Sequence, residues 1–262
     1  MKLKELISLS PGIVASDDSN PEIMGLAIDS REVKPGYLFV ALRGARSDGH
    51  KFLDSAAQAG ACALLIGEDF HGDLPEKVTI LRSVNPRLTL ALLASCFFEH
   101  PSDKLQMIGV TGTNGKTTVT YMVQSLLQSL GVSCGVIGTV GAHFEGQHLP
   151  TGATTPESPE LHYFLDQMVR NDVTAAALEV SSHALEWRRV EGMRFDVTIF
   201  TNLSQDHLDF HGSMDKYLAA KSMLFRMPGK TDKPAVAILN SDDPASEYFR
   251  PMVPEYRTIR TY

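Results

Sequence analysis

Residues 109–119 read GVTGTNGKTTV, an apolar run that gives way to glycines and then to Lys116, Thr117 and Thr118. Placed between a strand and a helix, such a loop aims successive backbone N–H groups at one point, and the helix dipole makes that point favourable for an anion. The spacing departs from the strict P-loop, because Val110 occupies the place of its first glycine and Gly112 supplies the turn instead. The chemistry is still that of phosphate binding. Gly112, Thr113, Asn114, Gly115, Lys116, Thr117 and Thr118 are expected to contact ATP, with Lys116 neutralising the β- and γ-phosphates and the Thr117 hydroxyl ligating Mg²⁺. A glycine turn merely capped by threonines is the competing reading, and the order strand, glycines, lysine, threonine argues against it.

Other chemistry-bearing residues are scattered downstream. Glu179 closes the apolar run TAAALEV, at the carboxyl edge where open α/β sheets place ligands. A carboxylate finishing a buried strand needs a counter-charge, which Mg²⁺ would supply; a glutamate simply surfacing at the strand end is the alternative. In SQDHLDFHG, His207 and His211 stand four apart, yet no cysteine or further histidine pair is arranged to complete a zinc site. Lys221 lies in DKYLAAKSMLF, a helical pattern in which spacing alone makes a lysine a solvated cation. GVIGTVG, residues 135–141, has glycines without the spacing of a dinucleotide loop and sits at a strand end.

These groups need strands that end at a common edge. QMIGVT precedes the loop and TTVTYMVQSLLQSLG follows it as a helix, while CGVIG, TAAALEV, DVTIFTN and AVAILN are short apolar runs separated by helical stretches. That is the pattern of a parallel sheet with crossover helices. Upstream, YLFVAL and CALLIG flank the helical HKFLDSAAQAG. Asn85 can cap a helix that starts at Pro86 and is ended by His100-Pro101, leaving PSDK as a linker. The expected fold is α/β: an N-terminal α/β domain over residues 1–100, then a P-loop-type doubly wound parallel-sheet domain over residues 101–262. A hydrophobic content of 43% in 262 residues is enough for two cores.

Charge and cysteine usage narrow the partners. A formal charge of −7 and a pI near 5.7 argue against nucleic acid and anionic membranes. Cys62, Cys96 and Cys134 lie far apart, which suggests thiols in a reducing compartment. The opening MKLKELISLSPG reads as an amphipathic helix rather than a secretion signal, and no segment is apolar for long enough to insert in a bilayer. A cytoplasmic location is expected.

GTNGKT resembles the loop of the Mur ligases and their folylpolyglutamate synthetase relatives, ATP-dependent enzymes that form amide bonds. DSREVKPGYLFVALRGARSDGHKF, TTPES, LEVSSHALEWRRV, FTNLSQDHLDFHGSMDKYLAAKSMLF and LNSDDP are similar, in the same order, to the Mur ligases that add the third residue of the peptidoglycan stem peptide. The likeness covers nearly the whole chain. It implies a ligase that joins an amino acid to UDP-N-acetylmuramoyl-L-Ala-D-Glu through an acyl phosphate, consuming ATP.

The resemblance also implies roles for particular residues. The first domain would hold the UDP portion of the substrate with Ile28, Ser30, Ala45, Arg46 and Ser47, where Ser30 offers a hydroxyl and Arg46 a planar cation suited to phosphate. An ordinary polar turn before a strand is the open alternative for DSREVKPG. Ala153, Thr154 and Thr155, with Ser181 and Arg189, would contact the sugar-peptide; Trp187 stands at a further contact position where well-known members carry glutamine. Glu179 and His207 would hold Mg²⁺ with Thr117, although a nitrogen donor is unusual for so hard a cation. Lys221 would carry CO₂ as a carbamate, an N6-carboxylysine whose oxygens add to the metal site. Attack on CO₂ needs the neutral amine, so the site must depress the lysine's pKa. Lys116, His207 and Lys221 are therefore the catalytic candidates.

The family continues beyond the equivalent of Tyr262. The chain is accordingly expected to comprise the UDP-substrate domain and an incomplete ATPase domain, without the C-terminal domain. Two other readings stay open: a nucleotide- or UDP-substrate-binding module without turnover, and a folylpolyglutamate-type ligase. A phosphate-release assay separates the first from an enzyme, and the DSREVKPGYLFVAL domain argues against the second.

Overall fold

The structure, a computed structural model, describes residues 1–8, 10, 12–44, 47–230 and 235–262. It divides into two compact units, Met1–Glu99 and His100–Tyr262.

The first unit runs α1 (Leu3–Ser8), β1 (Ile13–Ala15), β2 (Gly25–Ala27), β3 (Tyr37–Val40), α2 (Leu53–Gln58), β4 (Ala63–Gly67), β5 (Thr79–Ser83) and α3 (Pro86–Phe97). Its sheet has the order β1-β5-β4-β3-β2, parallel except for β1. Successive strand residues point to opposite faces, and here both faces are covered. Leu38, Val40, Ala63 and Leu65 pack with Leu3 and Leu6 of α1 and Leu90 and Leu93 of α3. Phe39, Leu64 and Ile66 instead meet Leu53 and Ala56 of α2. That double burial is why YLFVAL and CALLIG read as unbroken apolar runs. The Asn85 side chain accepts from Leu88 N at 3.1 Å with Pro86 in the first turn, as the sequence predicts. The helix ends earlier than its expected His100-Pro101 stop, and Glu99 and His100 take left-handed conformations, φ 56° and 51°.

The second unit opens with α4 (Pro101–Lys104), which corrects the reading of PSDK as a linker. Pro101 and Ser102 are buried, and this turn packs on α6, the helix Ser158–Arg170. Between them come β6 (Gln106–Thr111), α5 (Lys116–Ser129), β7 (Cys134–Gly138), β8 (Gly141–Phe144) and β9 (Gln147–Leu149). After α6 follow β10 (Ala175–Glu179), α7 (Ser182–Glu186), β11 (Val197–Phe200), α8 (Leu208–His211), α9 (Met214–Arg226), β12 (Ala235–Leu239), α10 (Ala245–Phe249) and β13 (Arg257–Thr261).

The strand order is β13-β12-β11-β6-β10-β7-β8-β9, parallel from β13 to β7 and antiparallel through the β8–β9 hairpin. From β6 the chain places β7 two positions away on one side, fills the gap with β10, then adds β11 on the other side. Loops at the carboxyl ends of β6, β10 and β11 therefore face one crevice, the place where open α/β sheets bind ligands. Met107 and Leu178 pack into a core with Phe195, Leu224 and Phe225, whereas Ile108, Val110 and Ala177 lie in a second cluster with Val119 and Val123 of α5.

Candidate active site

The loop between β6 and α5 is held by backbone geometry that favours glycine. Gly112 has φ +152°, and a Cβ there would overlap the Thr201 hydroxyl and lie 3.0 Å from Asn202 N. Gly115, φ +83°, forms the N-cap of α5. The segment after β11 braces the loop: Thr113 N donates to Asn202 O at 2.8 Å, Asn114 N to Asn202 Oδ1 at 3.1 Å, and Thr201 Oγ1 to Asn114 O at 2.7 Å. Gly112→Ala is expected to destabilise the second unit by about 1–3 kcal/mol and to abolish ATP binding. Gly152→Ala, where a Cβ meets nothing within 4 Å, is expected to do neither. Thermal unfolding and ATP titration of both variants check this, and an unchanged Gly112→Ala protein would remove the steric argument.

Two lysines converge on this loop. Lys116 Nζ donates to the carbonyls of Gly112 and Thr113 at 2.9 and 2.8 Å. Lys221 Nζ, from α9, donates to the same Gly112 carbonyl at 2.8 Å and lies 4.3 Å from the centre of the Tyr217 ring. Lys221 is only 1% exposed. Burial first, and the Lys116 ammonium second, push its pKa down to about 6, with Asp206 opposing. Burial also lowers Lys116, against the raising effects of Glu179 and Asp206. Spacing alone made Lys221 a solvated helix cation; the structure buries it at the phosphate loop.

Glu179, at the end of β10 and 1% exposed, meets the loop through Thr117. The Thr117 hydroxyl lies 2.9 Å from both carboxylate oxygens, Thr139 N donates to Oε1 at 3.0 Å, and Thr139 Oγ1 lies 3.3 Å from Oε2. A buried carboxylate beside a hydroxyl is a pair of hard oxygen donors, which fits Mg²⁺. Among the described residues no group of three His, Cys, Asp or Glu is arranged to hold a metal.

His207 is the left-handed N-cap of α8, φ 50°, with its side chain 46% exposed. Its ring lies 3.5 Å from Asp206 Oδ2, 4.8 Å from the His183 ring and 6.1 Å from Tyr217. Tyr217 connects it to the loop, because the Tyr217 hydroxyl is 3.2 Å from Thr113 Oγ1. His211 is buried and bonds Ser182 Oγ at 2.9 Å through Nε2.

The residues assigned to the sugar-peptide form a connected set. Thr155 Oγ1 donates to Glu179 O at 2.8 Å and accepts from Ser181 N at 3.0 Å, and Thr154 Oγ1 lies 3.0 Å from Thr139 Oγ1. Ser181 caps α7. Arg189 donates to Thr155 O at 2.8 Å, pairs with Glu157 at 2.7 Å and stacks 4.9 Å from the Trp187 ring. Ala153 is exposed in the preceding bend, and Thr118 faces solvent on α5. A cavity of ≈ 940 Å³ has Trp187, Phe210 and His211 on its wall but none of the phosphate-loop residues.

In the first unit, Ile28 and Ser30 follow β2, where Asp29 accepts from Arg31 N at 2.9 Å and shapes a short 3₁₀ turn. Ser47 O accepts from Gly44 N at 2.9 Å. Ala45 and Arg46 lie outside the described residues. A cavity of ≈ 400 Å³ opens at the carboxyl edge of this sheet beside Arg43, His50 and Asp69.

Comparison with known proteins bears on both units. Residues 110–262, more than half of the chain, match the Mur ligase middle domain, and residues 22–109 match the Mur ligase family catalytic domain. The chain belongs to the Mur ligase family. It is 42% identical over 255 residues to the UDP-N-acetylmuramoyl-L-alanyl-D-glutamate–2,6-diaminopimelate ligase of Geobacillus thermodenitrificans (strain NG80-2), covering 96% of this chain and 51% of that relative. A solved structure of a ligase of that name superposes with TM-score 0.75 at 29% identity, covering 92% of this chain and 48% of the other. Folylpolyglutamate synthase of Mycobacterium tuberculosis superposes with TM-score 0.55 at 16% identity, covering 66% of this chain and 46% of the other, a likeness of fold alone. The chain spans about half the length of the curated relatives it matches.

Asp206, Thr139, Tyr217 and Asn202 stand against these candidate groups and went unnoticed in the sequence. Asp206 and Asn202 lie in stretches already singled out, next to or near His207; Thr139 lies in the set-aside GVIGTVG run.

Proposed function

We propose that this chain carries the UDP-substrate and ATP-binding parts of a ligase that adds the third amino acid to UDP-N-acetylmuramoyl-L-Ala-D-Glu in the cytoplasm, where ATP is available. The observation that carries the reading is the convergence of Lys116 and Lys221 on the Gly112 carbonyl, with Thr117 resting on Glu179. The loop N–H groups and Lys116 would take the ATP phosphates. Thr117 and Glu179, with His207 and a carboxylated Lys221, would hold Mg²⁺. Mg²⁺, when bound, neutralises charge on the phosphate oxygens.

The D-glutamate γ-carboxylate would attack the γ-phosphorus, forming a carboxyl O–P bond as the bond to ADP breaks. An amino-acid amine then attacks the acyl carbon, and phosphate leaves with the former carboxylate oxygen. The chain's own part is to hold the two anions together, since Lys116 offsets the repulsion between carboxylate and phosphate. Thr154, Thr155, Ser181, Trp187 and Arg189 would orient the sugar-peptide, and Ile28, Ser30, Ala45, Arg46 and Ser47 the UDP. Lys221, held as a neutral amine by its pKa near 6, would attack CO₂, forming an N–C bond and losing one proton to give the carbamate.

The relatives' name makes 2,6-diaminopimelate the first amino acid to test, with L-lysine as its competitor. Phosphate release by the full-length ligase with ATP, the muramoyl dipeptide and each amino acid tests turnover. Titration of this chain with UDP-N-acetylmuramoyl-L-Ala-D-Glu is expected to give a saturable signal that Ser30→Ala weakens about 10-fold. A folded sample that gives no signal would overturn the assignment of the first unit.

A further inference from the structure

Glu179 is held by a second segment besides the phosphate loop. The end of β7 and the turn after it bring up Gly138 and Thr139, the middle of the GVIGTVG run that matched no nucleotide motif. A Cβ at Gly138 would overlap the Glu179 carboxyl, so the strand end is shaped around that group. Thr139 then meets both oxygens, donating its N–H to Oε1 at 3.0 Å and setting Oγ1 3.3 Å from Oε2, and the same Oγ1 lies 3.0 Å from Thr154 Oγ1.

We propose that Thr139 is a positioning residue that fixes the Glu179 carboxylate for a divalent cation and couples that carboxylate to Thr154 in the substrate loop. The inference rests on the ligase reading above. A threonine hydroxyl has one proton and two lone pairs. The carboxylate is the stronger acceptor, so the Thr139 proton goes to Glu179 and its oxygen accepts from Thr154. Donation thus runs from Thr154 to Thr139 to Glu179, while Thr117 donates to the same carboxylate from the phosphate loop. Three donors set the plane of the carboxylate and leave lone-pair capacity for a cation. Partners that orient a metal ligand in this way are usually worth roughly 10–100-fold in affinity.

Thr139 is exposed and Thr154 half-buried, so removing either hydroxyl leaves the core intact. Thr139→Val also keeps the backbone N–H and deletes only the hydroxyl. The test is calorimetric titration of Mg²⁺ into this chain at fixed ATP. Thr139→Val is expected to weaken the apparent Mg²⁺ affinity by roughly 10-fold with an unchanged melting temperature, and Thr139→Ser to restore it. Thr154→Val should weaken Mg²⁺ binding in the wild-type background and add nothing in Thr139→Val, the signature of a shared path. Wild-type affinity in Thr139→Val, failure of Thr139→Ser to restore it, or equal Thr154→Val effects in both backgrounds would overturn the inference while leaving the ligase reading standing. If the wild type binds ATP without regard to Mg²⁺ and Glu179→Gln changes nothing, the ligase reading falls and takes this inference with it.

Discussion

Lys116→Ala in the full-length ligase is expected to lower turnover by about 10³-fold, because phosphoryl transfer leaves the protein little to do beyond positioning and charge stabilisation. The side chain is well placed for that task. Its ammonium sits over the Gly112 and Thr113 carbonyls at the N-terminus of α5, within the influence of Glu179 and Asp206. Removing it takes a cation from the β- and γ-phosphates and leaves the first unit untouched, so binding of the UDP-linked substrate should be unchanged. Lys116→Arg should recover little, since a forked guanidinium does not occupy the place of a compact ammonium. Phosphate release under saturating substrates is the measurement, and near-normal ATP consumption by Lys116→Ala would overturn the phosphate-loop reading.

The second large effect is expected at Lys221. If the buried amine carries CO₂, Lys221→Ala should abolish turnover, and Lys221→Arg should fail equally because a fixed positive charge repels the cation that a carbamate would hold. Formate or acetate should partly restore the alanine variant by placing carboxylate oxygens in the vacated space, and should leave the arginine variant inactive. Native mass spectrometry should show an increment of one CO₂ on the wild type at neutral pH. With its pKa near 6, the amine is neutral above that value and protonated below it, so CO₂ uptake should fall as pH drops through about 6. Full activity in Lys221→Arg would make the lysine a structural cation only.

The two lysines differ in how plainly the sequence announces them. Lys116 stands in a local pattern whose glycines, lysine and threonine all fall within a few residues, and the local pattern is the geometry. Lys221 is separated from Gly112 by 109 residues, and nothing in DKYLAAKSMLF tells a buried lysine from a solvated one; only resemblance to a family singled it out. Thr139 was harder still, because it meets Glu179 only through the placement of β10 between β6 and β7. Strand order is a property of the assembled sheet and leaves no mark on either segment.

Smaller differences have similar causes. The β8–β9 hairpin was unreadable because GAHF and QHL have too few apolar residues to show alternation. PSDK looked like a linker by its polarity, yet its proline and serine are the buried members. Most strands that the sequence did reveal, such as β4, β6, β7 and β10, are buried on both faces, where apolar residues come with little interruption.

The two-faced burial of β6 has a further consequence, for tolerance to insertion and deletion. Met107 belongs to one core while Ile108 and Val110 belong to the other, and Gly112 follows directly after the strand ends. Losing one residue between 106 and 111 would exchange the two faces and drag the loop about 3.3 Å along the sheet. Exchanging Ile108 for valine leaves the strand's length and facing intact. An indel scan of this segment should therefore find chain length far more tightly constrained than side-chain identity, the opposite of the balance in the exposed bend at Gly152.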